Sequence, residues 1–552
     1  MPERLRDLLG GLCAAALGAT AFFIFCGWWV LLPTNIAWLD FGDRAMHQLG
    51  WMFFRAAPWG NPPGASPNLG IELANSIALV DGLPLFAIPF KLVAGWLPQP
   101  FQYWGYWLLL SFVLQALFAW RIARELGASR VSSLLAAAFV LVTPAYLFRV
   151  PMHLALSGHW VLLAGLFLYV RRVPPPMWMW PLLAGLTAAI HATLLAMVMG
   201  LWFAAWLQRL WLGRIKSVDA LFEAGLVASA TFFVLWLVGF FGAGSYGTYG
   251  YGDYKLNLLW PFLTYRWSQL IPDWPHTRFD YEGLSFLGIG ILALLAVAIV
   301  SGAILRLRAV ATRTWFPLAL IVVGLMLFAF SKTISLGASD ILHIPVPAFM
   351  DALGAAFRST GRFVWPVLYL VTIGCVVLVA ARFRPAIALP LICVAFTAQA
   401  IDSYPQWHVF AARQPQPAPV WPTPLKSGFW DRAAAAGYDR VRSIPVRTGY
   451  GSDWQALGYY AVTHGMALDT VLLGRTDEAA LADLRTSEAG VLDTGAFEPR
   501  TIYILDVLST LKAAEHATPA DFLGIVDHRN VFVRGGAPLA AGLDLDPPAL
   551  AH

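Results

Sequence analysis

The sequence predicts an α-helical integral membrane protein of about eleven transmembrane helices that ends in a C-terminal extracytoplasmic α/β domain. Composition, the spacing of the apolar runs and a change of pattern near residue 403 carry that expectation. Apolar residues make up 59% of the 552 positions and charged residues 12%, against roughly 45–50% and about 25% in soluble domains. The net charge of +5 comes from basic residues lying between hydrophobic segments, where orientation in a bilayer explains them and nucleic-acid binding is not required. Cys13, Cys26, Cys375 and Cys393 all fall in apolar segments, so they read as packing residues and not as a disulfide framework or a metal site.

The candidate spans are 9–32, 102–120, 131–149, 157–170, 177–191, 192–212, 220–242, 283–305, 314–332, 363–381 and 385–402. Each holds or approaches the roughly 20 apolar residues that crossing needs. The first run, Leu8 to Leu32, is too long for the core of a secretory signal and has no small-x-small cleavage site. Leu12 before Cys13 also spoils a lipoprotein site, so the run is a span.

Alternate turns hold the positive charge. These are Arg4 and Arg6, then Arg121, Arg124 and Arg130, then Arg171 and Arg172, then Arg209, Arg214 and Lys216, then Arg306, Arg308 and Arg313, then Arg382 and Arg384. Placing them in the cytoplasm puts the N-terminus inside and the C-terminus outside. This holds only if the apolar segment Ile77 to Leu97 does not cross. Its Asp81, Pro84, Pro89 and Lys91 suit an interfacial or re-entrant piece.

The domain organisation follows. Residues 1–402 form the membrane domain with outward loops at 33–101, 243–282 and 333–362, residues 403–424 a Pro-rich linker, and 425–552 the extracytoplasmic domain. In the last, strands are expected at Arg440–Val446, Thr470–Leu473, Arg500–Asp506 and Asn530–Arg534, with a helix at Glu478–Leu484. The outward loops are long and rich in Asp, His, Trp, Tyr and Pro, and long ordered loops usually carry function.

In the first loop, a helix starting near Asp43 would place His47 one turn on along the same face. Asp43 then reads either as a solvated cap or as a general base whose pKa partial burial raises toward working pH. Arg358 and Arg362 lie outward, against the positive-inside bias. On one helix face they would repel unless an anion lay between them, and guanidinium forks suit phosphate. The other reading is salt bridging to acids such as Asp340 or Asp351. Lys91 is a third cation near that plane or a snorkelling lysine. His153, His159 and His191 lack metal-ligand spacing, which favours hydrogen bonding over ligation. Glu282, before the span at 283, has capping as its default role. Gly242 to Gly247 matches GxGxxG, but it follows a membrane helix, which rejects a dinucleotide site. Tyr246, Tyr249 and Tyr251 beside it could stack on a sugar ring or belong to an interfacial aromatic belt.

With these residues in place, the layout resembles the membrane glycosyltransferases of the GT-C fold, which use polyprenyl-phosphate-linked sugars. It is more closely similar to an uncharacterised bacterial membrane family in the runs Asp43 to Trp59, Val80 to Leu85, Pro100 to Gly105, His153 to Trp160 and Phe357 to Phe363. The resemblance implies a GT-C-like body in the bacterial cytoplasmic (inner) membrane. It makes Asp43 the base that activates the acceptor, with Asp40 as understudy, and Arg358, Arg362 and Lys91 the phosphate ligands. Asp81, His47, His153, His159, His191 and Glu282 complete the candidate substrate-binding set. The implied partners are a polyprenyl-phosphate-linked sugar, a glycan, lipid or protein acceptor, and membrane lipid. No resident cofactor is implied, and a divalent metal stays open. The oligosaccharyltransferase WWD signature is absent, against N-glycosylation.

Transfer by a single inverting displacement needs outward cations for the departing phosphate and one carboxylate for the acceptor's proton. The alternatives are a transporter or flippase of a lipid-linked saccharide, which would place charges near mid-membrane, and a non-catalytic envelope scaffold.

Overall fold

The computed structural model describes residues 3–73, 76–242, 246–247, 250–305, 313–449, 454–472 and 476–548. Outside them lie the basic pair Arg306 and Arg308, the centre of the GxGxxG match, Tyr249, and the end of the strand expected at Thr470–Leu473. The chain divides into two compact units. One comprises Met1–Pro33, Gln102–Val234 and Thr248–Gln416, and the other Thr34–Phe101, Leu235–Gly247 and Pro417–His552.

The first unit is helical, and each of the eleven apolar stretches contains helix. Among the described residues, six helices are long and apolar enough to cross a membrane: Leu5–Cys26, Trp104–Glu125, Ala192–Trp211, Ser217–Leu237, Thr360–Arg382 and Pro385–Ala412. A seventh candidate is a broken pair, Arg130–Leu141 and Pro144–Met152, bent by 46°. Pro144 has no N–H to continue the first helix and opens the second instead. The other apolar helices are shorter. Ile289–Val300 has 12 residues and is about 18 Å long at 1.5 Å per residue, short of a core about 30 Å thick.

Two glycines let helix backbones meet, as small residues do in membrane bundles. A Cβ on Gly18 would stand 2.5 Å from the carbonyl oxygen of Phe112, and one on Gly105 would strike the carbonyl of Val30. Gln102 secures the chain leaving the first span, its amide donating to the carbonyls of Val30 (2.7 Å) and Leu32 (2.9 Å).

The second unit is built on a five-stranded sheet. In chain order its strands are β1 (Arg440–Ile444), β2 (Ala467–Leu468), β3 (Thr501–Leu505), β4 (Phe522–Val526) and β5 (Arg529–Val533). Their spatial order is β2-β1-β3-β5-β4, with β1 parallel to β2 and β3, and β5 antiparallel to β3 and β4. All of β3 is buried, which its unbroken Thr-Ile-Tyr-Ile-Leu run requires of a strand covered on both faces. Leu492 of the Glu478–Thr494 helix, Phe497, Tyr503 and Phe532 share one core cluster.

The strand expected at Thr470–Leu473 lies earlier, at β2, and β4 was not anticipated. The segment Thr34–Phe101, which chain order assigns to the membrane domain, packs in this unit. The Leu468 N–H donates to Asn68 (2.9 Å) and the Gly70 N–H to Leu468 (2.7 Å). The first loop therefore covers the open edge of β2, which would otherwise invite pairing with another chain. Ile77 to Leu97 holds only the nine-residue helix Pro84–Leu92 and a short turn at Ala94–Trp96.

Just past β2, the fully buried Asp469 accepts the Ser443 N–H at 3.0 Å and the Thr470 hydroxyl at 3.1 Å. Burial raises its pKa to about 8, opposed by the Ser443 N–H and by Arg442. The neutral form is favoured in the folded unit, so its contribution to stability is complete below the carboxyl's ordinary pKa. It is lost as pH rises toward 8. Thermal melting of the full chain should therefore show the C-terminal transition falling in temperature between pH 6 and pH 8, with the slope reduced in Asp469→Asn.

Candidate functional site

The chemistry concentrates where three turns of the helical unit meet. Arg149 lies in the last turn of the Pro144–Met152 helix, Glu282 sits on the turn Asp280–Gly283, and Arg362 lies on Thr360–Val364, which leads into the Trp365–Arg382 helix. Two of these turns press together because Gly361 has no side chain; a Cβ there would lie 2.8 Å from the Cα of Gly283.

Arg149 donates to Glu282 Oε2 at 2.8 Å and to the Glu282 carbonyl at 2.6 Å. Arg362 donates to the same Oε2 from Nε at 3.0 Å and from Nη2 at 2.6 Å. Both arginines are buried, at 2% and 5% exposure. Burial alone would raise the Glu282 pKa, but the two guanidiniums outweigh it and hold the carboxyl at about 2. One carboxylate thus serves two guanidiniums, and the cluster keeps one uncompensated positive charge.

His159 borders this cluster, its ring centred 4.0 Å from that of Trp365 and tilted by 35°. Arg149 lies over the same indole at 5.5 Å. A hydrogen-bonded chain runs from Gln115 through Tyr369 to His159. Gln115 donates to the Tyr369 hydroxyl at 2.8 Å, and that hydroxyl is 2.6 Å from His159 Nδ1. When the hydroxyl hydrogen is given to Nδ1, the imidazole is neutral and carries its proton on Nε2. Among the described residues, His159 Nε2, Arg149 Nε, Trp365 Nε1, Thr360 Oγ1 and Tyr146 Oη have no hydrogen-bond partner. All are donors or can serve as donors. Buried donors in this number around an excess positive charge suit an anion with several acceptor oxygens.

The other expected residues fall elsewhere. Arg358 and Arg362 do not share a helix face. The Ala348–Phe357 helix ends before Arg358, which adopts φ 56°, and the Arg358 guanidinium stands 5.6 Å over the Tyr254 ring. The acids that might have paired with these arginines are held by lysines, Asp340 by Lys255 and Asp351 by Lys332. His153 and His191 lie with their rings 5.5 Å apart, and His191 Nδ1 accepts the Thr193 N–H at 3.0 Å. Glu282, expected to cap a helix, instead bridges the two arginines.

Asp40, Asp43, His47, Asp81 and Lys91 belong to the second unit. The helix there spans Gly42–Ala56 with Phe41 at its N-cap. Asp43 is therefore not the cap but lies in the first turn, where the helix dipole favours a carboxylate. His47, one turn on, is fully buried, and burial followed by the charge of Arg44 lowers its pKa to about 3. Burial raises the Asp40 pKa while Arg44 opposes it. Lys91 is no snorkelling lysine. It is 6% exposed, its Nζ lies 4.0 Å over Phe54 and 4.6 Å over Trp59, and burial pushes its pKa down to about 8. Asp81 occupies a turn at φ 50°.

Arg149 was missed. The signal that singled out Arg358 and Arg362, an arginine at the outward end of a span, applies to it equally.

Fold and site together define a predominantly helical protein with several helices long and apolar enough to cross a membrane, a buried arginine–carboxylate cluster and a strand-containing C-terminal region. The chain belongs to the DUF6311 family, a domain of unknown function, whose model matches residues 15–404; the DUF6311 C-terminal domain matches residues 429–534. No curated protein matches the chain.

Proposed function

We propose that this protein is a membrane glycosyltransferase of GT-C type that moves a sugar from a polyprenyl-phosphate donor to an acceptor outside the cytoplasmic membrane. The observation that carries the reading is the sharing of Glu282 Oε2 by Arg149 and Arg362, which leaves a buried positive charge and unspent donors for a phosphate. In this reading the bent pair and the shorter apolar helices complete a body of about eleven spans with a cytoplasmic N-terminus.

The acceptor hydroxyl attacks the anomeric carbon and loses its proton to a general base. The bond from that carbon to the phosphate oxygen breaks, and the electron pair leaves on polyprenyl phosphate. Arg149 and Arg362 stabilise the departing charge, and the anomeric configuration inverts. Arg362→Gln, expressed in cells at the normal level, should abolish the surface glycan while lipid-linked sugar accumulates. Unchanged glycans would sink the assignment.

A second reading, transport of a lipid-linked saccharide, is favoured by the 46° break in the helix pair that ends near Arg149, because transporters bind substrate at interrupted helices. The two readings separate by side: a blocked transporter strands the lipid-linked sugar on the cytoplasmic face, and a blocked transferase leaves it outside.

A further inference from the structure

In the second unit, a cavity of about 370 Å³ opens between the Glu478–Thr494 helix and the face of β1 and β3. This lies at the low end of the volumes that hold small ligands, roughly 300–1,000 Å³. Ile444, Leu484, Val491 and Tyr503 give it an apolar floor, and its polar wall carries Arg442 with Glu72, Asp483, Glu488 and Glu498. Arg442 is already committed, to Glu72 through two bonds of 2.6 and 3.2 Å and to Glu498 at 3.4 Å. Glu498 also pairs with Arg440 at 3.0 Å, so two negative charges stand in excess when the four lining carboxylates are ionised.

Glu488 separates this cavity from an ordinary acidic surface. It is 7% exposed, and one oxygen accepts the Val446 N–H at 3.0 Å. Its other oxygen, Oε1, has no partner among the described residues. A buried carboxylate oxygen left unspent is costly unless something donates to it. Burial raises the Glu488 pKa to about 7, with the Val446 N–H, Arg442 and Arg485 only partly opposing it. The nearby arginines do not offset the burial of this carboxylate, and neither donates to Oε1.

A metal ion does not fit, because among the described residues no three ligand atoms of this cavity converge closely enough to hold one. A ligand with one ammonium group, several hydroxyls and an apolar ring face does fit. Its ammonium neutralises Glu488, its hydroxyls meet the rim carboxylates, and its C–H face covers the floor.

We propose that this cavity binds an amino sugar with a free ammonium group, seated at Glu488 with its hydroxyls toward Glu72 and Glu498. The inference goes beyond the glycosyltransferase reading and stands without it, since a transporter or scaffold could carry the same site.

Isothermal titration of the full chain in detergent at pH 7 with glucosamine, and separately with N-acetylglucosamine, tests it. Glucosamine should bind, and N-acetylglucosamine, which has no charge, should bind at least about tenfold more weakly, the loss expected for a charge-assisted hydrogen bond. Glu488→Gln should weaken glucosamine by a similar factor. Ser487→Trp, at the exposed rim, should block binding with the melting temperature unchanged. Absence of glucosamine binding to the wild type, equal binding of the N-acetyl sugar, or binding indifferent to either substitution would overturn the proposal.

Discussion

Replacing Glu282 by glutamine is expected to destabilise the helical unit by about 3–5 kcal/mol, the range for breaking a buried ion pair from one side. Both Arg149 and Arg362 use the same Glu282 oxygen, so the substitution leaves two buried guanidiniums facing each other. Arg149→Met should be milder, because Arg362 and Glu282 remain as a neutral pair. That ordering follows from net charge, whereas a count of lost hydrogen bonds would not predict it.

Thermal unfolding of the detergent-purified chain, followed by tryptophan fluorescence, measures both variants. Inorganic phosphate should partly rescue Glu282→Gln, since a ligand that binds only the folded state at about 100 times its Kd adds roughly 2.7 kcal/mol. If phosphate raises the melting temperature of neither wild type nor variant, the cluster is not an anion site. The pH dependence has a definite sign as well. Glu282 has its pKa lowered to about 2, so its contribution is complete above the ordinary carboxylate pKa and fades as pH falls below it.

Gly18→Leu should remove folded protein almost entirely. The new Cβ would lie 2.5 Å from the Phe112 carbonyl and 2.8 Å from the Val113 Cα. These are backbone atoms that cannot rotate away, so the Glu3–Cys26 and Trp104–Glu125 helices must part along the contact. Overpacking against side chains costs about 1–3 kcal/mol, and against backbone the loss should exceed that. Gly225→Leu is the matched control. It is also helical, but a Cβ added there would meet nothing within 4 Å, and helix propensity alone should make it neutral or slightly favourable. Yields of monodisperse protein on size exclusion should separate the two; equal yields would contradict the close approach.

Helix positions were legible because apolar runs mark them, but helix lengths were not. The run at 283–305 is apolar throughout, yet its helix begins only after Gly288, which adopts φ 84°. Hydropathy does not report such a backbone turn. Within the site, outward charge pointed to Arg362. Helical spacing then misled by pairing it with Arg358, since the break at Phe357 depends on one positive φ value. The strand at Arg440–Val446 was visible in its β-branched alternation, whereas β4 was hidden by its central Gly524. The partnership of Glu72 with Arg442 has no local signature, because neither residue's neighbours say anything about the other.

That partnership also sets a timetable for the growing chain. Glu72 and Arg442 are 370 positions apart. At about 5–20 residues per second, the first loop is made roughly 20 to 70 s before the strand it will join. Throughout that interval the Gly42–Ala56 helix lacks the Trp454–Thr463 helix, whose Gly458 rests against Leu49 in the finished unit. An apolar surface must therefore be sheltered while most of the polypeptide is still being made. The assembly of this unit is thus tied to the completion of synthesis, and a chain that stops early leaves its first loop without a fold to enter.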